Sequence, residues 1–370
     1  MPLARWFVTN SPVRTELLQN VKRLVVKLGT GVLTDSRKQL DLAQMGQLAA
    51  QFAAQRQAGR ELVLVTSGAV GAGMGALGYD KRPTEVAELQ ACAAVGQSRL
   101  MAVYENLFSE YGLHVAQVLL THEDLQNKDR HRNARNTLLT LLQRGVIPVI
   151  NENDAVSTTE LKFGDNDTLS ALVAALLPAD LLIILTTVDG VIEHFGKPNA
   201  RTLSRVERID ETLERTAGGT DSATAIGGMK SKIQAARIVG RCGIPMVIAS
   251  GRKPNALVEI LAGAEEGTLF VPQSGTLRGR KRWIAFFNHP HGAVFVDDGA
   301  REALASKGKS LLLPGIQRCE GEFLAGEVVS ICNLQGVEFA RGLAGFSASD
   351  IRAWTSPHAE AVHRDDLVVL

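Results

Sequence analysis

The sequence predicts a three-layer α/β/α sandwich on a mainly parallel sheet, followed by a small β-rich second domain. Two observations lead there. Short β-branched apolar runs at residues 23–28, 62–66, 115–120, 146–150, 181–186 and 244–249 alternate with segments of helical period at 41–58, 85–111, 133–144, 167–177 and 229–240. Strands that are apolar throughout are buried on both faces, which places helices on each side of a parallel sheet. After Pro272 the pattern changes to short alternating stretches at 292–296, 310–313 and 328–332 with turn residues between them, the signature of a small β domain.

The chain of 370 residues is too long for one ordinary domain. The expected division is an N-terminal extension at 1–20, with a short helix near 15–21 and no assigned role, an α/β domain at 21–274 and a β-rich domain at 275–370. Residues 275–282 read as a Gly/Arg/Lys-rich junction. With 45% hydrophobic residues the chain can bury a sizeable core, and a net charge of +1 gives no argument for a polyanionic partner. The four cysteines, Cys92, Cys242, Cys319 and Cys332, form no C-x-x-C pair and read as buried thiols in a reducing compartment. The N-terminus lacks the apolar core of a signal peptide, and the longest apolar stretch, near 176–185, is broken by Pro178 and Asp180. The expectation is a soluble, cytoplasmic protein.

Ligands of such sheets sit beyond the carboxyl ends of the strands, and five polar or glycine-rich segments fall there. Val25-Val26-Lys27-Leu28-Gly29-Thr30-Gly31 carries a lysine near a strand end and opens into a glycine turn. Glycines admit close backbone approach to an anion and the lysine adds a point charge; an ordinary turn beside a solvated lysine reads equally well. Val65-Thr66-Ser67-Gly68-Ala69-Val70-Gly71-Ala72-Gly73 repeats the design with a hydroxyl, its small residues suiting backbone that touches a ligand. Gly73 to Gly78 also spells G-x-G-x-x-G, but starts several residues late and lacks the acid-tipped strand a dinucleotide fold needs.

Asn151-Glu152-Asn153-Asp154 reads as polar residues capping the strand at 146–150, and Gly164-Asp165-Asn166-Asp167 opens a helix. One helix cap needs one Asp or Asn, so the surplus acids and amide favour a polar ligand, such as an ammonium group or lysines held in place. Ile226-Gly227-Gly228-Met229-Lys230-Ser231-Lys232 leads into another helix. Cations near a helix N-terminus are unfavourable, so Lys230 and Lys232 make sense with an anion between them and the helix end; solvated lysines are the plain alternative.

Together the segments imply a phosphoryl donor bound without a Walker A loop, since no G-x-x-x-x-G-K-[ST] is present. Phosphoryl transfer needs mainly positioning and charge neutralisation, which Lys27 and Lys232 could supply from opposite ends of the domain. No histidine lies in these segments, and an acceptor that is already an anion, such as a carboxylate, needs no general base. His114, His122 and His131 show no metal-ligand spacing, and the charged stretch 128–135 reads as a solvated helix face or a subunit contact.

K-L-G-T near the N-terminus, V-T-S-G-A, I-N-E-N-D-A-V, G-D-N-D-x-L-S-A and G-G-M-x-x-K resemble the amino acid kinase family over roughly residues 21–271. Their order and wording are similar to members that phosphorylate the γ-carboxylate of L-glutamate at the start of proline synthesis. Residues 275–370 resemble a PUA domain, through Gly292-Ala293-Val294-Phe295-Val296-Asp297-Asp298-Gly299-Ala300 and the closing His363-Arg364-Asp365-Asp366-Leu367. The resemblance implies the amino acid kinase fold, with ATP and Mg2+ as cofactors and no dedicated protein metal site. It implies Lys27 and Lys232 at the transferring phosphoryl group, with Asp167 orienting both. It implies Ser67, Asp154 and Asn166 as glutamate-binding residues. Lys27, Thr186, Thr187 and the stretch Ile226, Gly227, Gly228, Met229, Lys230, Ser231 and Lys232 are implied at the ATP site.

Two positions depart from the family pattern: Thr187 stands where an aspartate is usual, and Ile226 where the glycine turn usually begins with threonine. Both fall on the nucleotide side. The expected partners are L-glutamate and ATP, within a homo-oligomer, dimer or tetramer, and away from membranes. The alternatives are a kinase for a related acidic substrate, N-acetylglutamate or aspartate, and an RNA-associated PUA protein. Residues 275–370 hold eleven Lys/Arg against eleven Asp/Glu, so they lack the basic excess usual for nucleic-acid binding, and RNA binding is not expected.

Overall fold

Strand β1 (Arg23–Leu28) has no water-facing side, because every residue after Arg23 is buried. It is central in the sheet for that reason. A computed structural model describes residues 12–370 except 36–38, 158–165, 195, 197, 212, 214–227, 274–276, 278 and 354–358. The remaining strands of this part are β2 (Glu61–Val65), β3 (Val115–Leu120), β4 (Ile147–Glu152) and β5 (Leu181–Thr186), then a hairpin of β6 (Ile192–Glu193) and β7 (Arg201–Thr202), and β8 (Arg205–Val206), β9 (Met246–Ser250) and β10 (Thr268–Phe270). Eight of them form one sheet in the order β3-β4-β2-β1-β5-β9-β10-β8, parallel throughout except for β9 against β10. The mainly parallel α/β expectation is borne out.

Alternation along β1 sorts the two faces. Leu24, Val26 and Leu28 join a core with Leu48, Phe52, Leu100 and Phe108 from the helices Leu42–Gln57 and Val86–Ser109. Lys27 falls on the other face, where the helix Asn166–Leu176 packs over β1. The helix Met229–Arg241 packs beside Asn166–Leu176, which brings two helix N-termini over the strand ends.

Several local readings differ from the sequence expectation. Strand β4 runs on through Asn151 and Glu152, both buried, so these residues belong to the sheet and do not merely cap it. The charged stretch 128–135 is, as expected, a solvated helix face: it begins the helix Lys128–Gln143, with Arg130 and Arg132 exposed. Residues 69–77 are helical, and Gly68 at φ 95° supplies the left-handed turn that starts this helix. Gly73 is not a ligand turn: a Cβ there would lie 1.8 Å from the Cys92 carbonyl oxygen, and one on Gly96 would lie 1.7 Å from that of Ala69. These two glycines let the helices Ala69–Leu77 and Val86–Ser109 touch backbone to backbone.

The first helix spans Pro12–Leu18, with Leu18 fully buried, while Arg14 is 2% exposed and donates to the Glu266 carbonyl at 2.6 Å. Arg14 and Leu18 thus pack this helix into the α/β unit.

Leu277–Leu370 forms a separate compact unit. Its strands are β11 (Gly292–Val296), β12 (Leu311–Leu312), β13 (Ile316–Gly321), β14 (Val328–Cys332), β15 (Glu338–Leu343), β16 (Glu360–Val362) and β17 (Leu367–Val369). Five make a sheet in the order β13-β11-β14-β15-β17, and β12 pairs with β16. The expected open junction is in part the helix Gly279–Phe286, whose Ile284 and Ala285 pack on Val328 and Val368.

Candidate active site

Lys27, Asp167 and Lys232 meet beyond the carboxyl end of β1. The Lys27 Nζ lies 2.6 Å from Asp167 Oδ1, and the Lys232 Nζ lies 2.9 Å from Asp167 Oδ2. Asp167 is completely buried, while Lys27 is 6% and Lys232 5% exposed. Ser231 Oγ donates to the same Oδ2 at 2.9 Å. Burial raises the Asp167 carboxyl, but the two facing ammonium groups outweigh it and hold the group below the usual carboxylate range. Asp167 lies in the first turn of its helix, where a negative charge is favoured, and Lys232 lies in the first turn of the next, where a positive charge is not. The anion that the sequence called for beside Lys232 is therefore supplied first by Asp167 itself. Two ammoniums thus converge on one buried carboxylate, a concentration of positive charge at the strand ends that suits a further anion.

Lys230, by contrast, is exposed. The nucleotide-side residues fall at neighbouring strand ends. Gly29 N–H donates to the Leu185 carbonyl at 3.0 Å, and a Cβ on Gly31 would lie 2.8 Å from the Thr187 methyl, so the β1 turn and the end of β5 are in contact. Gly228 caps the Met229–Arg241 helix. Ile226 and Gly227 lie outside the described residues, as do Gly164 and Asp165.

On the opposite side, Asn166 Nδ2 donates to the Thr66 carbonyl at 2.8 Å, to Ser67 Oγ at 3.0 Å and to Asn151 Oδ1 at 2.9 Å. Ser67 and Asn166 are thus adjacent. Asp154 is half-buried in the turn that follows β4. Thr66 Oγ1 lies 2.7 Å from the Tyr104 hydroxyl, whose ionisation burial pushes up and the Thr66 bond opposes in part.

Sequence reasoning did not single out Asn151 within its polar run, nor Gln97, whose Oε1 accepts from Asn151 Nδ2 at 3.0 Å. The signal for Gln97 was available: it stands on the core-facing stripe of its helix with Ala93, Gly96, Leu100 and Tyr104, where an unpaired amide is out of place. A groove of about 780 Å³ in the C-terminal unit, lined by Lys309, Glu360, His363 and Arg364 among others, contains none of these residues.

The amino acid kinase family model matches residues 22–250, and the PUA domain model matches 292–365. The chain belongs to the amino acid kinase family. More particularly, it is 47% identical over 373 aligned residues to the glutamate 5-kinase of Geobacter sulfurreducens, covering 97% of this chain and 100% of that one. The glutamate 5-kinase of Cronobacter sakazakii is 44% identical, with 95% and 100% covered. Among solved structures, carbamate kinase from Giardia lamblia bound to AMP-PNP matches 69% of this chain and 100% of its own at 18% identity with a TM-score of 0.50, a likeness of fold.

Proposed function

We infer that the chain is a kinase that transfers the γ-phosphoryl group of ATP to the γ-carboxylate of L-glutamate, giving ADP and γ-glutamyl phosphate, the first step of proline biosynthesis. Glutamate 5-kinases that match the chain along nearly its whole length support this reading. The observation that carries the chemistry is the buried Lys27–Asp167–Lys232 cluster at the strand ends.

A γ-carboxylate oxygen attacks the γ-phosphorus and the bond to the β-phosphate oxygen breaks, leaving ADP with the electron pair. The acceptor is already anionic, so no general base is required. Lys27 and Lys232 neutralise the oxygens of the transferring group, and Asp167 fixes both ammoniums so that little reorganisation is needed. Ser67, Asn166 and Asp154 hold glutamate, with Asp154 facing its α-ammonium. Thr186, Thr187 and residues 226–232 line the nucleotide site.

Magnesium bound with the triphosphate would supply further neutralisation of phosphate charge. No helix among the described residues is long and apolar enough to cross a membrane, in keeping with a soluble cytoplasmic enzyme. A homo-oligomer, dimer or tetramer, is part of the same reading.

Incubation with ATP, magnesium, hydroxylamine and one acceptor at a time tests the assignment, because hydroxylamine traps an acyl phosphate as the hydroxamate. Product with L-glutamate alone is expected. Product with N-acetylglutamate or aspartate in its place would move the assignment to a neighbouring acidic substrate.

A further inference from the structure

The acceptor side of the site contains a relay of three amides whose orientations are fixed by the backbone. Asn166 faces the Thr66 carbonyl at 2.8 Å, which can only accept, so the facing atom is Nδ2 and Oδ1 is turned away. Asn151 accepts at 2.9 Å from the Glu152 backbone N–H, which can only donate, so the accepting atom is Oδ1. Its Nδ2 then meets Gln97 at 3.0 Å, and the atom of Gln97 there must be Oε1.

Two atoms are left over by this logic, Asn166 Oδ1 and Gln97 Nε2. Both are buried, and neither has a hydrogen-bond partner among the described residues. Gln97 as a whole is only 7% exposed. A buried donor and a buried acceptor left unmatched cost about 1–3 kcal/mol each, so such a pair persists where a ligand completes it. One acceptor and one donor are the complement of an ammonium and a carboxylate oxygen, the two groups that every free α-amino acid carries.

We propose that Gln97 is a substrate-binding residue of the acceptor site: its Nε2 donates to a carboxylate oxygen of the bound amino acid while Asn166 Oδ1 accepts from the ammonium. The Gln97 Oε1–Asn151 bond aims that donor, because it permits only one amide orientation. This inference rests on the reading of the chain as a glutamate kinase and adds a specificity determinant to it. The relay selects a free amino acid over its N-acylated form, since acylation removes the ammonium and its charge.

The test compares Gln97→Met, of similar volume, with Gln97→Glu, which keeps an acceptor toward Asn151 but replaces the donor by a negative charge. Melting temperature first confirms that each variant is folded; if Gln97→Met is not, Gln97→Glu carries the test. Losing a hydrogen bond to a charged group is expected to raise KM for L-glutamate about tenfold or more in Gln97→Met, with KM for ATP and kcat within about threefold of wild type. Gln97→Glu is expected to be at least as impaired, and glutamate alone, without nucleotide, should stabilise either variant less than wild type in a thermal shift. Wild-type glutamate KM in Gln97→Met would overturn the proposal. Wild-type KM in Gln97→Glu would overturn it too, by showing that Gln97 acts only through Asn151. A wild-type protein with neither hydroxamate formation nor a glutamate-dependent thermal shift would instead remove the glutamate reading on which the inference stands.

Discussion

The phosphoryl side and the acceptor side of the site are built on opposite plans. On the phosphoryl side the buried charges of Lys27, Asp167 and Lys232 already touch: one carboxylate binds two ammoniums, at 2.6 and 2.9 Å. On the acceptor side a chain of neutral amides ends in two buried atoms with no partner among the described residues. The first arrangement must hold its geometry whether or not nucleotide is present, because two unpaired ammoniums cannot stay buried together. The second is satisfied only by a ligand with matched polarity. Charge neutralisation is thus preorganised, whereas selectivity is left to the substrate.

The largest expected effect comes from dismantling the closed side. Asp167→Ala removes the buried carboxylate that Lys27 and Lys232 share and should cost about 3–5 kcal/mol of stability, read from urea denaturation. A loss under about 1 kcal/mol would mean that the lysines find another arrangement.

The open side depends on the helix that carries Gln97, which Gly73 and Gly96 hold against its neighbour. Gly73→Ala would press a methyl group onto the Cys92 carbonyl and should destabilise the fold by about 1–3 kcal/mol. Unchanged stability together with unchanged glutamate affinity would show that this contact is not needed to place the acceptor side.

A smaller change is expected from Asp154→Asn, which removes the negative charge proposed to face the substrate ammonium. KM for glutamate should rise about tenfold while KM for ATP stays put, from initial rates with each substrate varied. An equal rise in both constants would argue against a role confined to the acceptor.

The smallest effect concerns acid. The folded-state value of Asp167 is depressed, so the stability it contributes is complete above the unfolded value, about 3.9, and is lost as pH falls through the lower folded value. Between pH 5 and pH 2 the wild type should therefore lose more stability than Asp167→Asn, measured by denaturation at a series of pH values. Parallel losses would mean that Asp167 is not held ionised by its lysines.

The sequence made one side more legible than the other for the same physical reason. A lysine after two glycines runs against the helix dipole, the acids and amide before the helix at 166 exceed what one cap needs, and a lysine precedes a glycine turn at a strand end, so Lys232, Asp167 and Lys27 each carry a local signal. The sheet was readable because β1, β2, β4, β5 and β9 are apolar without alternation. Gln97 and Asn151 are quieter: a glutamine is a good helix former, marked here only by its place on the apolar stripe, and an asparagine after a strand reads as an ordinary cap. Only the register of β4, which carries Asn151 into the sheet, and the backbone contact of Gly73 with Cys92 bring these amides together. Both are long-range facts. The same holds for Arg14, whose partners Glu266 and Gly267 lie at the far end of the α/β unit.

The measurement that bears most directly on the whole scheme is the single-turnover rate of phosphoryl transfer at saturating ATP and L-glutamate in Lys27→Met and Lys232→Met. Each substitution removes one ammonium while roughly keeping side-chain volume, and in a folded variant the rate should fall about a hundred- to a thousandfold. A rate near that of wild type in either variant would mean that this lysine does not stabilise the transferring group, and the charge-clamp mechanism would fail.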